Sequence, residues 1–252
     1  MSSESSIQRT TKEILRHGLY TLGLDGLLTK KRSFHRHVGD MHLKETTLAK
    51  RFSSIYQNNV WSDSADIPGS GRGSSIASTG DMRRNLAAFF KEAGGDTILD
   101  VGCGDFTWMQ HVEFKQKYTG IDIVDSVIRQ NCEKYETDQH KFMVLDATSQ
   151  PLPKANIVIC REVIFHLSFS DGLKLLKNIL KTGSKYIILT SDKITLFNSN
   201  IKSGDFRVLN LAAKPFSFPP PHLAIPDAGL IDSRTLNVWK AEELAPCLNR
   251  PT

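Results

Sequence analysis

Residues 98–104 read Ile98-Leu99-Asp100-Val101-Gly102-Cys103-Gly104, an apolar stretch that runs into an acidic turn with paired glycines. Neither glycine has a Cβ, so the backbone of such a turn can close on a ligand. An acid at the strand end accepts hydrogen bonds from a cationic or hydroxyl-rich group. Alone, the pattern occurs in many α/β domains. The order of the later segments narrows it. Residues 118–123 read as a second apolar strand reaching an acid at Asp122, and residues 142–147 as a third with Asp146 near its end. Residues 155–161 form a fourth and residues 185–190 a fifth. A helix over 81–93, with Leu86, Phe89 and Phe90 on one face, precedes the first strand.

A dinucleotide site needs G-x-G-x-x-G, so that pyrophosphate meets a helix N-terminus. Here Gly104 is followed by Asp105-Phe106-Thr107-Trp108, without the third glycine, and Asp100 and Asp105 would oppose a pyrophosphate. A ligand bearing a sulfonium and an α-amino group suits these acids better. Over roughly residues 80–195 the series resembles the class I S-adenosylmethionine-dependent methyltransferases. The resemblance implies an α/β fold, a Rossmann-like, mostly parallel seven-stranded sheet with helices on both faces, and S-adenosyl-L-methionine as cofactor.

The flanks are similar to a bacterial and environmental subgroup of poorly defined substrate. The shared residues are Tyr56, Asn59 and Trp61; the run Gly69-Ser70-Gly71-Arg72-Gly73-Ser74; Thr79, Arg83 and Leu86; Trp108; Arg161-Glu162-Val163 with His166-Leu167; and Gly204-Asp205-Phe206-Arg207 with Asn210-Leu211. Pro215, Phe216, Phe218, Pro219 and Pro221, then Leu236 and Trp239, complete the match. Ser191-Asp192-Lys193 departs from the Thr/Asn-rich loop expected there. Association of such proteins with sugar or surface-polysaccharide synthesis points to a glycan or small-molecule acceptor, an argument by analogy.

The resemblance implies roles residue by residue. Asp100, with the backbone of Gly102, Cys103 and Gly104, holds the amino-acid end of the cofactor. Asp122 accepts the ribose hydroxyls, Ile123 packs on the adenine, and Asp146 with Ala147 reads its edge. Arg161 offers a backbone carbonyl near the methionine part. An Asp at a strand end is also a common turn or helix cap. If the acceptor is a hydroxyl, its proton must leave, and the imidazole of His166 suits that work near neutral pH. A histidine here can equally be structural. Glu162 either pairs with Arg161 or orients an acceptor hydroxyl, and Trp108 is either core or a plate against a sugar face. Tyr56, Asn59, Trp61, Arg72, Arg207 and Asn210 join it as the expected acceptor-side set.

A chain of 252 residues, 40% hydrophobic, suits one catalytic domain with appendages. No uninterrupted apolar run approaches a membrane span, and the first six residues are polar, unlike a signal peptide. The four cysteines form no C-x-x-C. A cytoplasmic enzyme with no metal is expected. Formal net charge is +5, concentrated in Lys30-Lys31-Arg32-Ser33-Phe34-His35-Arg36-His37. This run is either a solvated basic arm or a docking surface for RNA or protein. It lacks the interleaved aromatics of a single-strand platform. The expected organisation is a basic helical arm over 1–50 and the methyltransferase domain over 51–250. Within the domain, residues 68–75 form a lid or a plain linker, and 192–250 a substrate-side segment. At its centre, residues 214–221 carry too many prolines for helix or central strand.

Overall fold

The structure, a computed structural model, describes residues 39–249 apart from 63 and 65, together with 11, 12, 14, 15, 18, 19, 21, 22 and 24. The basic run at 30–37 lies outside the described residues, as does most of the expected arm. At the end of the arm, Met41–Lys44 forms one 3₁₀ turn, and α1 (Leu48–Gln57) follows.

Seven strands form one sheet: β1 (Thr97–Val101), β2 (Lys117–Asp122), β3 (His140–Val144), β4 (Ile157–Cys160), β5 (Tyr186–Asp192), β6 (Leu223–Pro226) and β7 (Arg234–Lys240). Their order is β3-β2-β1-β4-β5-β7-β6. The first five pair in parallel, and β7 runs antiparallel between β5 and β6. The expected five strands are present with shifted ends. The sixth and seventh fall in the 192–250 segment, so much of that segment belongs to the sheet. Its proline cluster is an ordered loop, with Phe216 and Phe218 buried and the Trp239 indole donating to the Pro219 carbonyl at 2.8 Å.

Parallel strands covered on both faces read as continuous apolar runs, and alternate residues feed two cores. Leu99, Val101, Val158, Cys160, Ile187 and Leu189 face one, with Leu175, Leu176 and Ile179 of the helix Phe169–Leu180. Ile98, Ile157, Ile159 and Ile188 face the other, with Met82, Leu86, Phe89 and Phe90 of α2 (Ile76–Ala93). That helix starts five residues before the sequence reading placed it, because the Ser75 hydroxyl accepts from the Ser78 N–H and caps it. The helix Asp125–Tyr135, here α3, follows β2; Phe169–Leu180 is α4 and Ala241–Leu248 α5.

β1 lies between β2 and β4, so the winding direction reverses there. A crevice opens outside the carboxyl ends of strands at such a switch point. It gathers the ends of β1, β2, β3 and β4. α1 (Leu48–Gln57), capped by Thr47, lies over it.

Candidate active site

The turn after β1 is set by close approach. Gly102 has φ 73°, and a Cβ there would fall 2.3 Å from the Val163 side chain. The Gly102 and Cys103 N–H groups both donate to the Ile121 carbonyl, at 2.8 and 3.0 Å. Asp122 ties the second strand to this turn, accepting from the Gly104 N–H at 3.1 Å and the Val124 N–H at 3.0 Å. The Gly104 carbonyl accepts from Asn131 Nδ2 at 2.7 Å. Asn131 is buried on α3, and nothing in its sequence neighbourhood marks it.

One cavity is lined by Asp100, Gly102, Cys103, Gly104, Asp122, Ile123, Asp146, Ala147, Arg161, Glu162 and His166. All nine residues expected at the cofactor and both expected at the chemistry therefore share a wall. Tyr56, Trp61 and Trp108 line the same cavity, with Leu48 and Phe52. Leu48, Phe52 and Tyr56 stand at i, i+4 and i+8, so one stripe of α1 faces inward.

The other expected acceptor-side residues lie off that wall. Arg207 is fully buried, its Nη1 donating to the Ile164 and Phe165 carbonyls at 3.0 Å. Asn210 donates to the Thr195 carbonyl at 2.9 Å and holds the loop after β5. Asn59 is exposed at φ 50°, in the turn that ends α1. Arg72 is exposed in a short 3₁₀ turn.

Burial dominates the electrostatics. It lifts the Asp100 carboxyl to about 7, against the hydrogen bond that the Tyr118 hydroxyl donates at 2.8 Å, and the nearby Asp122 charge lifts it further. Burial raises Asp122 too, opposed by backbone N–H donors. Burial and the same acids push the Cys103 thiol well up, so it stays protonated and is a poor nucleophile. The Tyr56 phenol is likewise held neutral, by burial and then by Asp122 and Asp105. A cation brought beside these two buried carboxyls favours their charged forms and offsets the cost of their burial. Asp146 differs: its oxygens accept from Thr148 and Ser149, so its carboxylate also caps the turn after β3.

His166 follows β4 in a 3₁₀ turn, its Nδ1 3.0 Å from the Asp205 carbonyl oxygen. A carbonyl only accepts, so Nδ1 carries the proton, and a neutral ring then has its lone pair on Nε2. The ring packs on Trp61 with centroids 4.5 Å apart. Glu162 adopts a left-handed conformation (φ 64°), a strained state for a non-glycine residue. Its carboxylate pairs with Arg234, which also donates to the Asp227 carbonyl at 3.0 Å. Asp227 takes both Nε and Nη2 of Arg161, at 3.0 and 2.9 Å. Burial works against the Arg161 charge, but Asp227 and Glu162 hold it above the ordinary value. Arg161 and Glu162 are thus joined through Asp227 and Arg234, two residues the sequence did not single out.

Residues 68–75 lie against this site. Ser70 donates through N–H and Oγ to Asp105 at 3.2 and 2.8 Å, and the Gly73 carbonyl accepts from Arg161 at 3.0 Å.

Residues 77–224 match the family model of a methyltransferase domain. The chain belongs to this methyltransferase family. It has the class I fold, and its cofactor is S-adenosylmethionine. No curated protein sequence matches the chain. Solved structures similar to this methyltransferase include the methyltransferase domain of bacterial CtHen1 (14% identity, 65% of this chain and 99% of that chain, TM-score 0.49). Another is the N-methyltransferase NodS of Bradyrhizobium japonicum bound to S-adenosyl-L-homocysteine (14% identity, 58% and 74%, TM-score 0.45). A third is the [4+2]-cyclase SpnF (21% identity, 42% and 44%, TM-score 0.36), so the chain spans under half the length of that cyclase. Among the described residues no helix is long and apolar enough to cross a membrane.

The raised Asp100 predicts a pH effect on the methyltransferase. A carboxyl whose folded-state pKa is raised binds its proton more tightly when folded, so its contribution favours folding at low pH. That contribution is lost as pH rises from about 4, the unfolded range, to about 7. Wild-type stability is expected to fall across this window relative to Asp100→Asn, which has no proton to lose. Parallel melting profiles for the two proteins would refute the assignment.

Proposed function

We propose that this methyltransferase methylates a hydroxyl of a sugar or other polar small molecule, with His166 as general base. The observation that carries the reading is the bond from His166 Nδ1 to the Asp205 carbonyl, on a wall shared with the acids after β1 and β2. It holds the tautomer whose lone pair can take a proton.

Asp100 and the turn from Gly102 to Gly104 suit the charged amino-acid end of the cofactor, and Asp122 its ribose. Ile123 and Ala147 flank the adenine, and Asp146 divides its lone pairs between turn and ligand. The Arg161 side chain is engaged with Asp227, so only its backbone carbonyl remains for the methionine part. When bound, the cofactor supplies an electrophilic methyl group. The enzyme's own task is to align the acceptor oxygen and remove its proton. Trp61 and Tyr56 offer apolar surface for one side of a sugar, Trp108 is buried with the Arg161 guanidinium over its ring, and Glu162 accepts from a hydroxyl. Arg161 is the one cationic side chain among the described residues lining the cavity, and it is engaged with Asp227 and Gly73. A neutral acceptor fits this wall better than a phosphate-rich one.

Transfer of labelled methyl to a panel of sugars, glycans and hydroxylated metabolites, with RNA and protein alongside, tests the reading. The expected result is labelling of a hydroxyl compound that survives removal of residues 1–37. RNA or protein labelling that disappears on that truncation would overturn it and make the basic run a docking surface. Cofactor binding with no transfer to any class would instead favour a binding module.

Residues 68–75 act as a lid in this scheme, excluding water once the cofactor is in place. Limited proteolysis there is expected to slow markedly on adding S-adenosyl-L-homocysteine, as a ligand-stabilised segment should. Equal cutting with and without it would make the segment a linker.

A further inference from the structure

One five-residue loop, Ser203-Gly204-Asp205-Phe206-Arg207, bonds to both sides of the acceptor half of the cavity. On one side Arg51, buried on α1, donates through Nη1 to the Ser203 carbonyl and through Nη2 to the Glu45 carbonyl, each at 2.7 Å. His42 Nε2 donates to the Gly204 carbonyl at 3.2 Å. On the other side the Gly204 N–H donates to the His166 carbonyl at 2.7 Å, and the Arg207 N–H to the Phe165 carbonyl at 3.0 Å. The Asp205 carbonyl takes the imidazole proton at 3.0 Å, and the Phe206 ring packs on His166 with centroids 5.3 Å apart. The fit at Arg51 is close. Gly204 sits at φ 101°, and a Cβ there would fall 2.5 Å from the Arg51 Cδ. Phe52 follows Arg51 directly and lines the cavity.

We propose that Arg51 is a positioning residue, a latch that seats α1 on the acceptor pocket and, through the Ser203–Arg207 loop, fixes the ring of His166. This rests on His166 being the base. Arg51 itself touches neither the cavity nor the imidazole. Its bond to the Ser203 carbonyl ties the loop to α1, its bond to the Glu45 carbonyl fixes the guanidinium, and the loop's Asp205 carbonyl sets the tautomer. Loss of the guanidinium lets Ser203 and Gly204 move away from α1. The imidazole then loses its fixed acceptor, and Phe52 and Tyr56 lose their seat.

The test reads the ring and the reaction separately. Heteronuclear NMR of the imidazole nitrogens, assigned with His166→Ala, is expected to show the Nδ1–H form in the wild type and mixed tautomers in Arg51→Ala. Acceptor turnover should fall at least ~10-fold in that variant, since ångström-scale misplacement of a reacting group is costly. Cofactor affinity should stay within about threefold, and Arg51→Lys should recover part of the turnover, a lysine still donating to one carbonyl. If Arg51→Ala does not fold, His42→Ala, which removes a second side-chain bond to the loop from the α1 side, carries the same readings. An unchanged ring signature in these variants would overturn the proposal. So would a loss of cofactor affinity as large as the loss of turnover. His166→Ala reads the base assignment by itself. Full turnover there refutes that assignment, while the ring signature still decides whether Arg51 is the latch.

Discussion

His166→Ala is expected to lower methyl transfer about 10²–10⁴-fold, the range for loss of a positioned general base. The imidazole proton is committed at Nδ1 to the Asp205 carbonyl, and Trp61 packs on the ring. The ring is therefore oriented before any acceptor arrives. Cofactor affinity should change little, because all the groups assigned to it except the Arg161 carbonyl lie at the ends of β1, β2 and β3 and in the turns that follow. The size of the effect should depend on the acceptor. A phenol or other readily ionised hydroxyl needs less help than a sugar alcohol, so its rate should fall less. A drop below about tenfold with an alcohol acceptor would make His166 structural and leave the enzyme to act by alignment alone. Steady-state rates at saturating cofactor, with a thermal melt to confirm folding, decide between these outcomes.

The parallel half of this fold is legible because its strands are buried on both faces. Ile157–Cys160 and Tyr186–Asp192 carry almost no exposed position, so each reads as an apolar run. The acids at the ends of β1 and β2 stand out against such runs. β6 and β7 are harder to see. β6 is four residues long, mostly exposed, and ends at Pro226, while β7 opens on Arg234 and carries Asn237. The apolar run of β6 is only Leu223-Ala224-Ile225 before the proline, that of β7 is broken by Asn237, and the proline cluster before them reads as loop, which it is. The site divides in the same way. Residues beside the glycine turn are fixed by local geometry. Arg207 and Asn210 look like ligand contacts in sequence, because polar residues in a late loop are often functional. Here they satisfy backbone carbonyls that the loop itself buries. Asp227 and Arg234 carry no local signal, since their partners Arg161 and Glu162 lie more than sixty positions earlier and meet them only across the sheet.

That distant pairing predicts the largest stability effect. The side chains of Arg161, Asp227 and Arg234 are 3%, 0% and 2% exposed, so three charges share a space nearly closed to water. Asp227 is the anion between the two arginines. Asp227→Asn keeps the volume but removes the one carboxylate hydrogen-bonded to Arg161, leaving it the more distant Glu162 and Asp100, and leaves Arg234 paired with Glu162 alone. Removing one partner of a buried ion pair costs about 3–5 kcal/mol, mostly from the charge left behind. For a chain of this size that lowers Tm by roughly 6–20 °C. Replacing the stranded charge as well tests the cause. In Asp227→Asn with Arg161→Met, the second change removes a cation that no longer has its partner. The double variant should therefore be more stable than the sum of the two single losses, a coupling of about 1–3 kcal/mol. The same cluster reaches the lid through the bond from Arg161 to the Gly73 carbonyl. Asp227→Asn should therefore also speed proteolysis within 68–75, at temperatures where the rest of the domain stays folded. A loss under about 1 kcal/mol, or strict additivity in the double variant, would mean that water or rearrangement compensates the arginines. The cluster would then not be what holds the β6–β7 hairpin against the catalytic edge.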